Sequence, residues 1–369
     1  MYKPSALSIP FAISLLTLSL GCHAQTMTRI TSLGTLDAAS PHTMAQAQGV
    51  SADGGIVVGY GTLAGNNRHD RALPRLAAFR WTPAAGMTKL AFLPGGGEHA
   101  AAEAISANGK VIVGVCDGTF ENGRYLLARA VRWEADGAAH ALTVPPDAAL
   151  STATGVSNDG ATIAGFSADA QGVRRALRWS SDGAMRDLGS LGGRAAYAAG
   201  VSHGGKHIVG VAQNAARQAR AFLWSERDGM KDLGTLPGLS GSEASAVSAD
   251  GSVVVGSSAN GMIGVFLPEE GAIKGYIWRR TSGAMQEIVN TLGGDVTMPT
   301  AVSDDGKVVV GVATDGHERR HVFRWTQENG MTADTSAAQR MVFVRGLSKD
   351  GRYGAGRLAS DAAFRAQWF

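Results

Sequence analysis

The ten residues Val302–Gly311 have the sequence Val-Ser-Asp-Asp-Gly-Lys-Val-Val-Val-Gly, and variants of this stretch occur seven times in the 369-residue chain. Each copy has a serine, a glycine three residues after it and another glycine eight residues after it. In six copies Asp or Asn precedes the first glycine. Such a pair between apolar runs predicts a β-hairpin, and we expect a two-residue type I′ turn with φ > 0 at both residues. The repeat serines are Ser51, Ser106, Ser157, Ser202, Ser248, Ser303 and Ser348.

A tryptophan follows each hairpin, and the residue three positions before it is small in five of the seven copies. The residue two positions before it is large and apolar in six copies. Because alternate residues of a strand face opposite sides, this pattern predicts a strand with one bulky and one small face, as nested sheets require. The tryptophans are Trp81, Trp133, Trp179, Trp224, Trp278, Trp325 and Trp368.

A fourth strand is predicted after the tryptophan strand of the earlier repeats, for example at Asp187–Leu191 and Asp232–Leu236, following a Gly-Met or Gly-Ala-Met turn. The repeats are spaced by about 45 residues, and no segment has a sustained apolar period of 3.6 residues. Four strands at this spacing are typical of propeller blades. The sequence therefore predicts an all-β fold, a single seven-bladed β-propeller with four-stranded blades that comprises residues 25–369.

The two ends of the chain predict how the ring closes. The seventh repeat stops just after Trp368 and has no fourth strand, whereas Ser32–Leu36 near the N-terminus has no hairpin before it. Its Leu-Gly-Thr-Leu sequence is identical to that of Leu233–Leu236. We therefore expect an N-terminal strand to complete the last blade, which leaves no unpaired sheet edge at the seam.

The first 24 residues resemble an export signal, with Lys3 before an apolar run at Ala6–Leu20. Two processing interpretations remain open. Signal peptidase could cleave after Ala24, or residues 1–21 could be a lipoprotein signal that leaves a lipid anchor on Cys22. The run is too short to span a bilayer, and no later segment predicts a transmembrane helix. A periplasmic, extracellular or outer-membrane location is expected.

Composition narrows the possible partners. A net charge of +3 with 18% charged and 44% hydrophobic residues predicts a globular protein without the dense basic surface of nucleic-acid-binding proteins. No nucleic-acid partner, cofactor or metal is predicted, and a monomer is expected. Cys116 follows an apolar run and is interpreted as a small buried residue, because a lone thiol cannot form an internal disulfide.

The full repeat combines the hairpin stretch, an Arg/His-Ala-Phe-x-Trp segment such as Arg220–Trp224 or the related His321–Trp325, and Gly-Met-x-Asp-Leu-Gly-Thr-Leu. In these motifs the chain from about residue 28 to residue 369 resembles the bacterial extracellular HAF-repeat family. The resemblance implies an exported bacterial propeller. It supplies no catalytic residues.

Two stretches match enzyme motifs. Gly200–Gly204 fits G-x-S-x-G, but a serine hydrolase needs this serine at a strand-to-helix elbow, and here it belongs to the fourth hairpin. His317–His321 fits H-E-x-x-H, but a zinc site needs both histidines on one helical face. In extended structure the two histidines would be about 13 Å apart at ~3.3 Å per residue. Both matches are interpreted as structural.

Repeat length predicts where a site would lie. The serine-to-tryptophan distance is 22 residues in repeats three, four and six, but 30, 27 and 30 in repeats one, two and five. The extra residues fall between the second and third strands, on the face that also carries the crossovers between blades. Loops on a rigid scaffold are common binding sites. The predicted ligand-binding residues on this face are Arg68, His69, Arg71, His99, Arg124, Tyr125, Tyr197, His317 and Arg319.

Three functions are compatible with these features. The preferred hypothesis is a non-enzymatic binding protein of the bacterial envelope, whose ligand is a polysaccharide or another anionic envelope component. The alternative is a carbohydrate-active enzyme, a polysaccharide lyase or hydrolase, with its site at the loop-rich channel mouth. A structural scaffold is the third. The enzyme hypothesis predicts that His99, Tyr125, Tyr197 or His317 meet in one pocket.

Overall fold

The computed structural model describes residues 28–37, 44–66, 74–94, 99–116, 119–121, 124–126, 128–261, 271–333 and 341–368. These residues form seven four-stranded antiparallel sheets and one two-stranded hairpin, with no helix among them. The molecule is a seven-bladed β-propeller, as predicted. The described residues include no helix long and apolar enough to cross a membrane. The predicted export signal lies outside them.

Strands are numbered β1 to β30 along the chain. Blade 1 contains β2 (Ala45–Val50), β3 (Val57–Asn66), β4 (Pro74–Thr82) and β5 (Gly86–Lys89). Blade 2 contains β6 (Ala100–Ile105), β7 (Ile112–Cys116), β10 (Arg129–Trp133) and β11 (Ala139–Ala141). Blade 3 contains β12 (Ala148–Val156), β13 (Thr162–Asp169), β14 (Arg174–Ser180) and β15 (Met185–Asp187). The additional hairpin of blade 2 consists of β8 (Thr119–Glu121) and β9 (Arg124–Leu126).

Blade 4 contains β16 (Gly192–Val201), β17 (His207–Asn214), β18 (Ala219–Ser225) and β19 (Gly229–Asp232). Blade 5 contains β20 (Gly241–Val247), β21 (Val253–Ala259), β22 (Lys274–Arg279) and β23 (Ala284–Glu287). Blade 6 contains β24 (Gly293–Val302), β25 (Val308–Asp315), β26 (Arg320–Thr326) and β27 (Gly330–Ala333). Blade 7 contains β28 (Met341–Leu347), β29 (Tyr353–Leu358), β30 (Ala363–Trp368) and β1 (Thr28–Gly34).

The N-terminal strand closes the ring. Strand β1 pairs antiparallel with β30, from Thr28 opposite Trp368 to Gly34 opposite Ala363. The last blade is therefore built from both ends of the chain, as predicted. Beside this strand, Arg365 crosses the seam from blade 7 to blade 1: its guanidinium lies 5.6 Å from the ring centroid of Trp81 and donates to the carbonyl of Gly54.

The repeated serine and aspartate organise each hairpin turn. In blade 6 the Ser303 hydroxyl donates to Asp305 Oδ1 (2.7 Å) and accepts the Val308 N–H (3.0 Å). The same carboxylate oxygen accepts the N–H of Lys307, and the Gly306 N–H donates to the Ser303 carbonyl. The turn is thus held by side-chain and backbone hydrogen bonds together.

The predicted type I′ turn is wrong. Only the glycine three residues after each repeat serine has a positive φ, for example 69° at Gly306, whereas the preceding Asp or Asn does not. In blade 6 the loop has four residues between Ser303 and Val308, the first residue of β25, and the serine hydroxyl takes the place of a backbone partner for the Val308 N–H. The Asp-Gly pair still marks the hairpin, but the aspartate acts through its side chain.

The glycine eight residues after each serine is required by close approach rather than by backbone conformation. A Cβ atom there would lie 1.9–2.2 Å from the carbonyl oxygen of the residue five before the serine, in all seven blades. No other residue fits without moving the strand. The seven glycines are Gly59, Gly114, Gly165, Gly210, Gly256, Gly311 and Gly356.

The apolar core is divided among the blade interfaces. Seven buried clusters of the described residues each combine side chains from two consecutive blades. The repeated tryptophans belong to these clusters, and two of them also reach across to the preceding crossover. The Trp133 indole donates to the Ala91 carbonyl (2.7 Å), and Trp179 donates to that of Thr143 (2.5 Å). The interfaces between blades therefore contain the predicted nesting of bulky and small strand faces.

The fourth strands begin and end earlier than predicted. In blade 4 the strand is Gly229–Asp232, not Asp232–Leu236, and in blade 3 it is Met185–Asp187. In blades 1, 3 and 4 the leucine after the fourth strand, such as Leu233, is buried and donates one last backbone hydrogen bond to the third strand. Its side chain belongs to the core between blades, so the Leu-Gly-Thr-Leu sequence is the start of the crossover.

The two ends of the ring are distinct. We call the end that carries the Ser-Asp-Gly hairpins the turn face, and the opposite end the loop face. On the loop face, crossover residues pair with the connections between second and third strands, at Leu76–His99, Leu191–Asn214 and Ile273–Val296. The insertions and crossovers therefore share one face, as predicted, and the additional β8–β9 hairpin lies in such an insertion.

Deleting residues 28–36 should lower the melting temperature sharply, because β1 covers the edge of β30 and completes the seventh blade. The measurement is thermal unfolding followed by circular dichroism. A deletion variant that melts at the wild-type temperature would contradict closure by this strand.

Gly210→Ala should lower the free energy of unfolding by about 2–3 kcal/mol, because its Cβ would lie 2.0 Å from the Tyr197 carbonyl oxygen. Gly204→Ala in the same blade is the matched control: its Cβ would have 3.7 Å to its nearest neighbour, the Ala249 carbonyl. Such a change is expected to be neutral or to stabilise by up to about 1 kcal/mol. Urea unfolding of both variants measures the change in the free energy of unfolding. Equal changes in the two variants would refute the steric explanation.

Candidate functional site

The first strand of every blade carries a β-bulge three residues before the repeat serine. The register shift skips Glu103 in blade 2, Thr154 in blade 3 and Arg345 in blade 7, and it recurs at the same position in the other four blades. A bulge leaves its extra residue outside the ladder and redirects its side chain. We call this set the bulge layer; it consists of Gln48, Glu103, Thr154, Ala199, Ser245, Thr300 and Arg345.

The bulge layer lines a cavity of about 140 Å³ on the propeller axis. The cavity also contacts the next two residues of each first strand and, nearer the turn face, Ala52, Ala107, His203 and Lys349. We call it the turn-face chamber. Its wall is ordered in layers: the bulge layer is the innermost, small residues follow, then a ring of branched apolar side chains that includes Val156 and Leu347.

Most of the bulge layer is uncharged, and its two charged members form an ion pair. Arg345 Nη1 donates to Glu103 Oε2 at 3.1 Å, and both side chains are partly buried. Arg345 also interacts with the phenol of Tyr197. These three residues belong to blades 7, 2 and 4, so Arg345 bridges the axis.

Tyr197 and Glu243 occupy the same repeat position, five residues before the serine, in neighbouring blades 4 and 5. Burial raises the pKa of Glu243 to about 7. Burial also raises the pKa of Tyr197, although the Arg345 charge acts against it. Near neutral pH this part of the axis holds a carboxyl group that is about half protonated and a neutral phenol. Perturbed carboxyls of this kind are concentrated at functional sites.

An arginine and two aromatic rings extend from this axial group outward between blades 3 and 4. Phe166 and Tyr197 pack edge to face with centroids 5.0 Å apart. The Arg174 guanidinium lies 5.3 Å and 6.0 Å from the two ring centroids. All three side chains are partly exposed, and no carboxylate of the described residues pairs with Arg174. Together with Glu103, Glu243 and Arg345 they form what we call the axial cluster.

The turn-face mouth of the chamber carries a second polar group. The His203 Nδ1 atom contacts Asp304 Oδ1, and both side chains are 27% exposed. Lys349 stands on the same rim and is exposed. All three follow directly after a repeat serine, in blades 4, 6 and 7.

The structure separates the predicted ligand-binding residues. Arg68, His69 and Arg71 lie outside the described residues. Arg124 and Tyr125 lie in strand β9, of which only the backbone is described. The remaining four, His99, Tyr197, His317 and Arg319, are placed on blades 2, 4 and 6.

Among these four, only Tyr197 belongs to the axial cluster. His99 is buried at the start of blade 2. His317 is exposed in the connection between β25 and β26, and the neighbouring Arg319 donates to Asp315 Oδ2 at 2.8 Å. The predicted meeting of histidines and tyrosines in one pocket is therefore not found among the described side chains.

The rest of the axial cluster was missed from the sequence. Glu103, Arg345 and Glu243 lie on first strands at repeat positions −3 and −5, and Arg174 begins a third strand. One signal could have found the first three: aligning the seven copies shows charged residues where other copies have small or neutral ones. The prediction followed loop length instead, which points to the face but not to the axis.

The two enzyme-like motifs are structural, as interpreted. The Ser202 hydroxyl accepts the His207 N–H inside the fourth hairpin, and the serine is fully buried. His321 is buried on β26, and its Nε2 lies 2.9 Å from Asp315 Oδ2. Burial acts to raise the pKa of Asp315, but hydrogen bonds from His321, His317 and Arg319 hold it well below its usual range.

Solved structures with the same fold include two lyases. The chain is similar to oligogalacturonate lyase in complex with manganese, with a TM-score of 0.59 and 14% identity over 94% of each chain. It is similar to a catalytically inactive virginiamycin B lyase from Staphylococcus aureus with quinupristin, with a TM-score of 0.53 and 14% identity, over 93% of this chain and 100% of that one. At these identities the likeness supports the fold alone.

TolB from Acinetobacter baumannii has a TM-score of 0.47 and 15% identity over 86% of this chain, and only 64% of the TolB chain is covered. This chain thus spans less than two thirds of that protein. No protein-family model matches the sequence, and no curated protein matches it. Manganese is part of one lyase structure, but the described residues here bring no three His, Cys, Asp or Glu side chains together.

Relative to the Glu243→Gln variant, the wild-type protein should lose stability as the pH rises from about 4.5 to about 7. The lowered pKa of His203, about 4 because of burial, changes the stability of both proteins in the opposite direction and cancels in this difference. The pKa of Glu243 is raised to about 7 from an ordinary 4.5, so in this window the folded state keeps a proton that the unfolded state has lost. The loss amounts to at most about 3 kcal/mol and is complete above pH 7. Glu243→Gln, which stays neutral, should not show it. Urea unfolding between pH 4.5 and 8 measures the difference, with Glu287→Gln as the control. Parallel curves for wild type and Glu243→Gln would contradict the raised pKa.

Proposed function

We propose that this protein is an exported binding protein whose axial cluster, opening toward the loop face, holds an acidic carbohydrate. The observation that carries the proposal is Arg174: a partly exposed guanidinium stacked on Phe166 and Tyr197 without a carboxylate partner among the described residues. Resemblance to the HAF-repeat family and the N-terminal signal support export. Both remain predictions.

The chemistry of the cluster fits a sugar acid. A guanidinium binds a carboxylate through two parallel hydrogen bonds, and it does so more strongly where the site is partly shielded from water. Aromatic rings offer flat apolar surface with a polar edge, which suits the two-sided character of a sugar ring. The neutral fraction of Glu243 can donate a hydrogen bond to a hydroxyl, and the Tyr197 phenol can donate or accept.

Three other basic residues on this face are paired within the scaffold. Two of them are recurring basic residues four positions before the tryptophan: Arg175 pairs with Asp147 at 2.5 Å and Lys274 with Glu287 at 3.1 Å. Arg220 donates to the Ser240 carbonyl. Arg174 differs from its neighbour Arg175 because it lies on the opposite side of β14 and faces aromatic rings instead of an aspartate.

A second candidate function is carbohydrate lyase activity at the same cluster. The observation that favours it is Glu243, whose pKa of about 7 suits proton transfer at neutral pH. In such a β-elimination a base takes the proton on the carbon beside the uronate carboxylate, a carbon–carbon double bond forms, and the bond to the neighbouring glycosidic oxygen breaks as that oxygen takes up a proton. Arg174 or Arg345 would neutralise the carboxylate. The likeness to oligogalacturonate lyase supports only that this fold can host the reaction.

Arg174→Ala should weaken binding of oligogalacturonate at least tenfold, because the loss removes a charge-assisted pair worth about 1.5–3 kcal/mol. Arg175→Ala is the matched control on the same strand and should change the affinity less than twofold. Isothermal titration with oligogalacturonate, and with an uncharged oligosaccharide of equal length, gives the affinities.

Two results would decide against this proposal. If the Arg174 and Arg175 variants lose the same affinity for oligogalacturonate, the axial cluster is not the binding site. If the uncharged oligosaccharide binds with equal affinity, the ligand does not need to be acidic. Ultraviolet absorbance of an unsaturated product in the same samples, abolished by Glu243→Gln, would favour the lyase.

A further inference from the structure

The first strand of blade 4 has a second bulge at its loop-face end. Residues 193–195 of β16 stand opposite the single residue Gln213 of β17. Such a bulge takes its extra residues out of the ladder. Arg194 is the middle residue of this bulge and is exposed. It precedes Tyr197 by three residues, at most about 10 Å at ~3.3 Å per residue, so it lies at the loop-face opening of the axial cluster.

A second exposed arginine lies on the neighbouring turn of the same blade. Arg217 is in the connection between β17 and β18 and has a φ of 60°. This turn lies beside the start of β16, because a Cβ atom added to Gly192 would lie 3.6 Å from the Cβ of Ala215. A positive φ favours glycine, and blade 3 has Gly172, with a φ of 77°, at the same position of its turn. The turn itself therefore does not require an arginine.

Blade 6 repeats both backbone features with the opposite charge. Residues 294–296 form the same bulge at the start of β24. Asp295 takes the position of Arg194 and is exposed. Glu318 takes the position of Arg217, is exposed and has the same φ of 60°. Because one backbone arrangement carries opposite charges in two blades, the scaffold does not dictate these side chains. They give blade 4 a basic loop-face end and blade 6 an acidic one.

The charges of Arg194 and Arg217 are not neutralised by the scaffold. No carboxylate of the described residues forms an ion pair with either arginine. Three acidic side chains at the loop-face end of blade 3 interact instead with Arg175, on the other side of β14 from Arg174: Asp147, Asp169 and Asp187. We call Arg174, Arg194 and Arg217 together the basic track.

The basic track begins at the axial cluster and leads outward. Arg174 stands at the loop-face end of β14, which packs against β16, and its guanidinium lies over the ring of Tyr197. Arg194 follows at the loop-face end of β16, and Arg217 lies in the next turn, farther from the axis. A single sugar acid has one carboxylate, which Arg174 would bind. Further positive charges along an outward path match a polymer that repeats a carboxylate on every unit.

We infer that Arg194 and Arg217 form a second carboxylate subsite, and that the ligand is an oligomer of uronic acids extending from the axial cluster over the loop-face end of blade 4. This inference rests on the proposed function, because the first sugar is the one bound at Arg174. Once that sugar is bound, the next carboxylates meet Arg194 and Arg217 at a high effective concentration, so affinity rises with chain length. The acidic end of blade 6 repels the same chain and favours its path over blade 4.

Isothermal titration of the full mature chain with galacturonate, trigalacturonate and the methyl ester of trigalacturonate tests the second subsite. We expect trigalacturonate to bind the wild type about tenfold more tightly than the monomer, and than the ester, which has the same length without the charges. Arg194→Ala and Arg217→Gly should each weaken trigalacturonate binding about threefold, a modest factor because both side chains are exposed.

Arg227→Ala is the matched control. This arginine is 93% exposed in the connection between β18 and β19, on the turn face of the same blade. Its removal takes away the same charge and should change the affinity by less than about twofold. The melting temperature separates a folding defect from a binding defect. Arg217→Gly relieves the positive φ, so this variant should melt no lower than the wild type while it binds trigalacturonate less tightly.

The inference is overturned if trigalacturonate binds the wild type no more tightly than galacturonate, or if Arg194→Ala and Arg217→Gly bind it as Arg227→Ala does. In either case, weaker galacturonate binding by Arg174→Ala would still support the proposed function. Weaker trigalacturonate binding by both blade 4 variants, with normal binding by Arg174→Ala, would support the second subsite and overturn the proposed role of the axial cluster. If neither galacturonate nor trigalacturonate binds the wild type, both proposals are wrong.

Discussion

The architecture depends on one backbone irregularity, the β-bulge on the first strand of every blade. The bulge turns the residue three before the repeat serine toward the axis, and all seven of these residues line the chamber. At each bulged strand the carbonyl of the residue five before the serine stands so close to the second strand that only glycine fits opposite it. The residue after the bulge packs against the first strand of the next blade. A Cβ atom added to Gly155, for example, would lie 3.2 Å from the Val201 nitrogen. This close approach explains why the position is glycine or alanine in all seven blades. One local distortion, repeated seven times, thus fixes the invariant glycines, the packing of first strands around the axis and the channel lining.

The repeated bulge and hairpin distinguish two kinds of position: those that every blade needs for its structure, and those at which the blades can differ from one another. The serine, aspartate and glycines of the hairpin are used in hydrogen bonds and close contacts, so substitution there changes stability. Positions −3 and −5 point away from the ladder and tolerate Gln, Glu, Thr, Ala, Ser or Arg at the first and Gln, Ala, Thr, Tyr, Glu, Met or Phe at the second. Four members of the axial cluster, Glu103, Tyr197, Glu243 and Arg345, occupy these variable positions, where the seven blades differ from one another.

Most of the fold could be predicted from the sequence, because the repeat indicates which strands exist. The N-terminal Leu-Gly-Thr-Leu segment indicates that the first strand of the chain pairs with the last blade. The turn type could not, since the Ser303 hydroxyl and Asp305 carboxylate replace the backbone geometry that Asp-Gly usually implies. The fourth strands were placed too late because Leu233 has the apolar character of a strand residue while packing between blades. For the site, Tyr197 was found and the Glu103–Arg345 pair was not: contact between blades 2 and 7 across the axis depends on where seven bulges point, which no local pattern contains.

The charge content of the axis follows from the same symmetry. Seven copies of one charged residue in the bulge layer would stand within a few ångströms of each other, and two like charges 5 Å apart cost about 3 kcal/mol at an effective dielectric constant near 20. A ring of repeats can therefore place charge at its centre only by breaking its own repetition, and it needs an opposite charge to compensate. Glu103 and Arg345 meet both conditions, and their pair separates the turn-face chamber from Tyr197 and Glu243. Because each end of the channel is then lined by a different set of non-repeated side chains, one ring of similar blades can differ in chemistry between its two ends.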